Sequence, residues 1–254
     1  MSFIELNRVG IAGLLFVLAF AAGFLSLLGS GKKLSRDRLR TIPAFSRLEK
    51  ALYQATEGGK CIHISPGRGG LFNLPGAATL AGLRFLKGIY LSAGLSDRPP
   101  IVSSGEPFVD ILSTEAVEEI QRAHDARHIP GEPASQLTGL TPFSFAGGAL
   151  SAVAGQDVTA NVFAGHFGLE IGLMIDAADP SGAQVFASSE NFAAQAVLSA
   201  TVEDPILGEE LFSAGAYLQG EPDVLASMLI EDIARWSLAL VILGGIVLRY
   251  LGVI

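Results

Sequence analysis

The sequence predicts an α/β fold: a Rossmann-like, doubly wound, mostly parallel sheet of five or six strands, flanked by an N-terminal and a C-terminal transmembrane helix. Three observations carry this expectation. Uncharged apolar runs stand at both ends of the chain, residues 9–31 and 236–248. Between them, short β-type runs alternate with helical stretches of about 10 to 18 residues, the spacing of crossover connections in a parallel sheet. The strand runs lack a clean polar–apolar alternation, which fits burial on both faces.

Residues 9–31, VGIAGLLFVLAFAAGFLSLLGSG, contain no charge. As a helix they span roughly 34 Å, enough to cross a hydrocarbon core of about 30 Å. Lys32, Lys33, Arg36, Arg38 and Arg40 follow, against the single acid Asp37, while only Glu5 and Arg8 precede. Lys and Arg collect on the cytoplasmic side, so the N-terminus is expected outside and the body inside. A cleaved signal peptide has a basic n-region and a shorter apolar core. Here the n-region is nearly neutral and the basic cluster lies on the other side of the run.

At the other end, residues 236–254 are just long enough to span if Arg249 snorkels to the far interface. Trp236 and Tyr250 stand where interfacial aromatics stand, and Arg235 marks the cytoplasmic end. The competing reading is an amphipathic or core helix closing a soluble domain. Gly244-Gly245 and the scarcity of polar residues weigh against it. Two spans leave both termini outside and the α/β body in the cytoplasm. The expected division is a tail and span at 1–31, a basic linker at 32–42, the body at 43–230 and the closing span at 231–254.

Within the body, residues 43–56 read as a helix, with Pro43 in its first turn and Phe45, Leu48, Ala51, Leu52 and Ala55 on one face. Gly58-Gly59 ends it. Residues 61–65 form the first strand, followed by the loop Pro66-Gly-Arg-Gly-Gly. A helix at 76–93, a strand at 100–104 and a helix at 109–127 come next; the last carries acids early and bases late, as its dipole favours. Residues 129–139 read as a loop and 143–154 as a helix. Residues 158–164 are the clearest strand. A helix at 166–178, strands at 183–187 and 200–202 around a helix at 190–198, and a helix at 207–219 complete the body.

About 200 residues lie between the spans, enough for one domain with a real core. The one cysteine, Cys61, has no internal partner for a disulfide, which suits a reducing cytoplasm. The net charge of −8 is uneven: residues 128–234 hold 14 acids and neither Lys nor Arg. Either these acids solubilise this half, or they meet something basic: a basic protein partner, the juxtamembrane bases of a neighbouring copy, or a metal ion. Nucleic acid is not expected as a partner, because phosphate binding needs a basic footprint.

In open parallel sheets ligands bind at the carboxyl ends of the strands. That edge is expected to carry His63, Ser65, Gly67, Arg68, Gly69 and Gly70; Ser103, Ser104 and Glu106; Gly165 and His166; Ser188, Ser189 and Glu190; and Glu203 with Asp204. The Pro-Gly-Arg-Gly-Gly turn has the composition of an anion cradle, with backbone N–H groups and the Arg68 guanidinium. It lacks the third glycine of the dinucleotide pattern, where Phe72 stands, and no phosphate-loop Lys-Ser or Lys-Thr follows. His166 and Glu170, four apart on the expected helix, have the geometry of a metal or acid–base pair, or of a plain surface pair. His124 and His128 share that spacing. Glu203, Asp204, Glu209 and Glu210 crowd a helix entrance, where the dipole favours acids and a divalent cation is the functional alternative. Ser65 and His63 share a strand face, permissive for a nucleophile and base, but no orienting acid accompanies them. There is no Gly-x-Ser-x-Gly elbow, no His-Glu-x-x-His and no Cys pair.

Three stretches carry a resemblance. They are Ile62-His-Ile-Ser-Pro-Gly-Arg-Gly-Gly70 with Thr79–Leu83; Ala160-Asn-Val-Phe-Ala-Gly-His-Phe-Gly-Leu-Glu170; and, most specific, Pro205-Ile-Leu-Gly-Glu-Glu-Leu-Phe-Ser-Ala-Gly-Ala-Tyr-Leu218. Together with the two terminal spans they resemble an uncharacterised family of bacterial membrane proteins, known only as a domain of unknown function. The resemblance implies membrane attachment, at a bacterial inner membrane, and an α/β body; it implies no catalytic role. The expected function is a membrane-anchored, non-catalytic module that self-associates as a homo-oligomer in the lipid bilayer. The alternative is a domain or enzyme that takes a small anion, a nucleotide or a divalent cation at the sheet's carboxyl edge.

Overall fold

The structure, a computed structural model, describes residues 3–29, 39–93, 98–123 and 134–251. His124, His128 and most of the basic linker lie outside these residues. The chain divides into two compact units, the body Arg40–Gln219 and a unit holding the terminal helices.

In the body, α2 (Pro43–Glu57) starts on Pro43 and buries Phe45, Leu48, Ala51, Leu52 and Ala55 at helical spacing. It leads into β1 (Cys61–Gly67), then α3 (Gly76–Ala93), β2 (Ile101–Ser104) and α4 (Pro107–Ala123). The two-residue β3 (Gln136–Leu137) lies inside the segment expected to be loop. Then come α5 (Pro142–Val153), β4 (Val158–His166), α6 (Ile171–Ala178), β5 (Gln184–Ser189), α7 (Phe192–Thr201) and β6 (Ile206–Leu207). A 3-10 turn (Gly208–Ser213) and α8 (Ala214–Leu218) end the body. Local capping sets several boundaries. The Thr141 side chain accepts from the Ser144 amide in a capping box that opens α5, and Asn191 accepts from the Ala193 amide, 2.9 Å, to open α7.

All six strands are parallel, in the order β3-β2-β1-β4-β5-β6. The chain winds outward through α3 and α4, returns through α5, and winds the other way through α6 and α7. Helices therefore cover both faces. Ile62, Ile64, Val102, Val162 and Phe186 pack with α2, α3 and α4. Phe163 and Ala187 pack on the other face with Phe145, Met174 and Leu198. Burial on both faces removes the polar alternation of a one-sided sheet.

One strand falls in a different place from the expectation. Residues 200–202 end α7 and its C-cap, and the sixth strand is β6, four residues later. Ala200 extends the helix readily, Thr201 joins it with its hydroxyl donating to the Val197 carbonyl at 2.8 Å, and tertiary packing overrode the weak β tendency of this short run.

The second unit holds α1 (Phe3–Gly29) and α9 (Pro222–Tyr250). Residues Gly10–Gly29 and Pro222–Tyr250 are long and apolar enough to cross a membrane. Leu14, Phe16, Leu240 and Val241 are exposed on them. The two helices approach closely where a Cβ at Gly23 would stand 2.7 Å from Ile230 Cδ1. α9 is continuous from Pro222, so no break marks residue 231.

Candidate functional site

The strand order reverses between β1 and β4, which makes their carboxyl ends the switch point of the sheet. Below it, a row of polar side chains crosses three strands. Asn161 on β4 lies directly opposite His63 on β1, with Ser103 on β2 at the other flank. His63 Nδ1 donates to Asn161 Oδ1 at 3.0 Å, since that oxygen only accepts. Nε2 is then the acceptor for the Ser103 hydroxyl at 2.8 Å, and Asn161 Nδ2 donates to the Val153 carbonyl at 3.1 Å. All three side chains are buried. Burial pushes His63 down to about 4, against the partial support of its bond to Asn161.

His63 and Ser65, whose shared strand face permitted a nucleophile and base, take other partners. The Ser65 hydroxyl donates instead to the Ser103 carbonyl, 2.7 Å. Positions i and i+2 on one strand are about 6.6 Å apart, whereas facing positions on neighbouring strands are about 4.8 Å apart, so the imidazole bridges strands. A neutral, enclosed imidazole with both nitrogens satisfied cannot reach a substrate.

At the switch point the loops after β1 and β4 are joined through their backbones. The Arg68 amide donates to the His166 carbonyl, 3.0 Å, and the Gly105 amide to the Gly67 carbonyl, 3.0 Å. Gly67 (φ +83) and Gly165 (φ +146) make this contact feasible. A Cβ on Gly67 would lie 2.3 Å from the His166 oxygen, and one on Gly165 2.1 Å from the Pro66 oxygen. The backbones of β1 and β4 thus meet at the place where doubly wound sheets can hold a dinucleotide.

Two pairs of ionisable side chains flank that seam. Arg68 Nε lies 3.1 Å from Glu170 Oε1, which also accepts from the Gly168 amide at 2.8 Å. Glu170 is buried and Arg68 about a quarter exposed. His166 Nδ1 lies 2.5 Å from Glu190 Oε1. His166 and Glu170 therefore take different partners, and the expected pair on one helix face is not formed. β4 runs on through His166 because Gly165 supplies its positive φ, and α6 starts only at Ile171. Ser189 Oγ accepts from the Phe167 and Asn191 amides, both at 3.3 Å. Ser104 Oγ donates to Asp110 Oδ1 at 3.2 Å. The Ser188 hydroxyl is buried without a hydrogen-bond partner among the described residues.

The acids expected together at this edge are separated. Glu203 and Asp204 precede β6 and so lie at the amino edge, where both pair with Arg47 of α2, Asp204 Oδ2 at 2.9 Å. A cleft of about 540 Å³ opens beside them, lined by Arg47, Asp176, Asp179, Gln184 and Glu203. Glu210 follows β6, pairs with Arg40 and accepts from the Leu207 amide. Glu209 stands exposed in the same turn. Among the described residues no group of three His, Cys, Asp or Glu side chains is gathered as a metal site.

The sequence reading missed an apolar rim. Phe72 and Leu74 after β1, Phe108 after β2, Phe143 after β3, Leu169 after β4 and Phe192 after β5 are all exposed, Phe72 and Phe192 at 86%. The Phe72 and Phe108 rings lie 5.7 Å apart. The available signal was a large apolar residue close behind each of these strands, in a turn at Phe72, Leu74 and Leu169 and in the first turn of the next helix at Phe108, Phe143 and Phe192. Asn161 was also missed, because only the register places it opposite His63.

No curated protein and no solved structure matches the chain. The α/β body between two terminal apolar helices agrees with the resemblance that the sequence suggested, and that resemblance extends along the entire length. The family described as a domain of unknown function, DUF6754, matches residues 1–254, and the chain belongs to it.

Proposed function

We propose that the protein is a non-catalytic, membrane-anchored α/β module that self-associates in a bacterial inner membrane. The bases after the first span and Arg235 before the second support both termini outside and the body in the cytoplasm. The observation that carries the reading lies in the terminal helices. Gly23 is occupied by Ile230, while among the described residues nothing lies within 4 Å of where a side chain would begin at Gly10, Gly13, Gly244 and Gly245. Bilayer helices associate through such small residues, because they let backbones approach closely. The backbone contact between β1 and β4 and the enclosure of His63 support a role without chemistry. The acidic half of the body suits contact with the juxtamembrane bases of a neighbouring copy or with a basic partner.

Native mass spectrometry of the full-length protein in mild detergent tests this. A defined multiple of the 26.5 kDa chain is expected. A strictly monomeric protein overturns it.

A further inference from the structure

We infer that the turn after β1 binds a phosphate monoester with an alkyl body, the phosphate on Arg68, Gly69 and Gly70 and the chain on Phe72 and Phe108. This site goes beyond self-association and stands or falls separately from it.

The donors come first. Glu170 engages Arg68 only through Nε, so both Nη nitrogens have no partner among the described residues. The amides of Gly69 and Gly70 likewise donate to no acceptor among them, although Gly69 is buried. Buried amides are nearly always paired, so the uncommitted amide of buried Gly69, with the spare Arg68 Nη donors and the Gly70 amide beside it, calls for an external acceptor. A phosphate offers several oxygens to the planar guanidinium fork and to successive N–H groups. The adjacent carboxylates do not compete for these donors: Glu170 is taken by Arg68 Nε and the Gly168 amide, Glu190 by His166.

His166 borders the same turn, since a Cβ on Gly69 would stand 2.7 Å from the His166 Cβ. With Nδ1 engaged by Glu190, its Nε2 has no partner among the described residues.

The apolar half is adjacent in the chain. Phe72 is 86% exposed, and its ring meets Phe108 at 5.7 Å. Inorganic phosphate has no use for this pair. A dinucleotide needs the place where the β1 and β4 backbones meet at Gly67 and Gly165. An alkyl chain fits both constraints.

The test is thermal unfolding of the full-length protein in a nonionic detergent with hexyl phosphate, hexanol or inorganic phosphate. Hexyl phosphate is expected to raise the melting temperature, with the other two needing at least about ten-fold higher concentration for the same shift. Arg68→Lys keeps a cation against Glu170 but removes the spare Nη donors, and is expected to lose the response. Phe72→Ser, at an exposed position that folding does not depend on, is expected to weaken the response to hexyl phosphate, and it carries the test if Arg68→Lys does not fold. No shift with hexyl phosphate, equal shifts with all three compounds, or an undiminished response in the variants overturns the inference. Because the readout is ligand-dependent stability and not subunit number, its failure leaves the assembly reading untouched.

Discussion

The Tyr217 hydroxyl donates to the Arg40 main-chain carbonyl, tying the last helix of the body to its first residue. The Tyr217 ring also stacks on Phe45 with centroids 4.5 Å apart and planes 3° apart. The two points where the chain enters and leaves the body are thereby held side by side. Tyr217→Phe keeps the stack and is expected to cost about 1 kcal/mol for the lost hydrogen bond. Tyr217→Ala loses both and is expected to cost roughly 2–3 kcal/mol. Denaturant titration of the full chain measures the difference, and equal effects for the two variants would contradict the role given to the stack.

The His63 row makes stability depend on pH. Its value falls from 6.5 to about 4 in the fold. Between these limits the unfolded chain binds a proton that folded His63 does not, so this contribution is intact above about pH 6.5 and is lost as pH falls toward 4. The loss amounts to about 3 kcal/mol at the lower limit. His63→Gln is expected to be less stable at neutral pH but to lose less between pH 6.5 and 4. Parallel melting profiles for the two proteins would show that another group is responsible.

Gly67→Ala and Gly165→Ala place a methyl group against a facing carbonyl and force an L-residue into positive φ. Each is expected to destabilise by roughly 2 kcal/mol or more, the upper part of the usual range. Gly182→Ala, also at positive φ but with open space around its Cβ, is expected to cost about 1 kcal/mol. A similar loss at all three positions would mean that the loops after β1 and β4 are not packed as described.

Replacing Gly244 and Gly245 together by Leu is expected to lower the subunit number in native mass spectra. The melting temperature of the body should stay the same, because a Cβ at either glycine would meet nothing within 4 Å among the described residues. An unchanged subunit number would move the contact away from this helix.

Topology is open to direct labelling. In a Cys61→Ser background, Glu118→Cys presents a thiol on the exposed side of α4. A membrane-impermeant maleimide is expected to label it only after the cells are permeabilised. Labelling of intact cells would put the body on the outside.

The fold was legible because it rests on local and periodic signals. Gly76–Ala93 was read to the residue, and α2, α5 and β4 to within a few positions. Each carries its own Pro start, glycine end or long β-branched run. The errors fall where the local signal is shortest. β3 and β6 are two residues each and owe their existence to a neighbouring strand. Moving the last strand from 200–202 to Ile206–Leu207 was enough to send Glu203 and Asp204 to the opposite edge of the sheet.

The sequence by itself determined the two apolar terminal helices and the alternation of strands and helices. These follow from composition and spacing along the chain. Partnership across the chain was decided only by the tertiary structure. It joined His63 to Ser103 and Asn161, gave Arg68 to Glu170 and His166 to Glu190, and brought the β1 and β4 backbones together. The physical reason is that a hydrogen bond or an ion pair depends on register and on gaps of a few ångströms, and both are set when strands far apart in sequence are brought alongside one another.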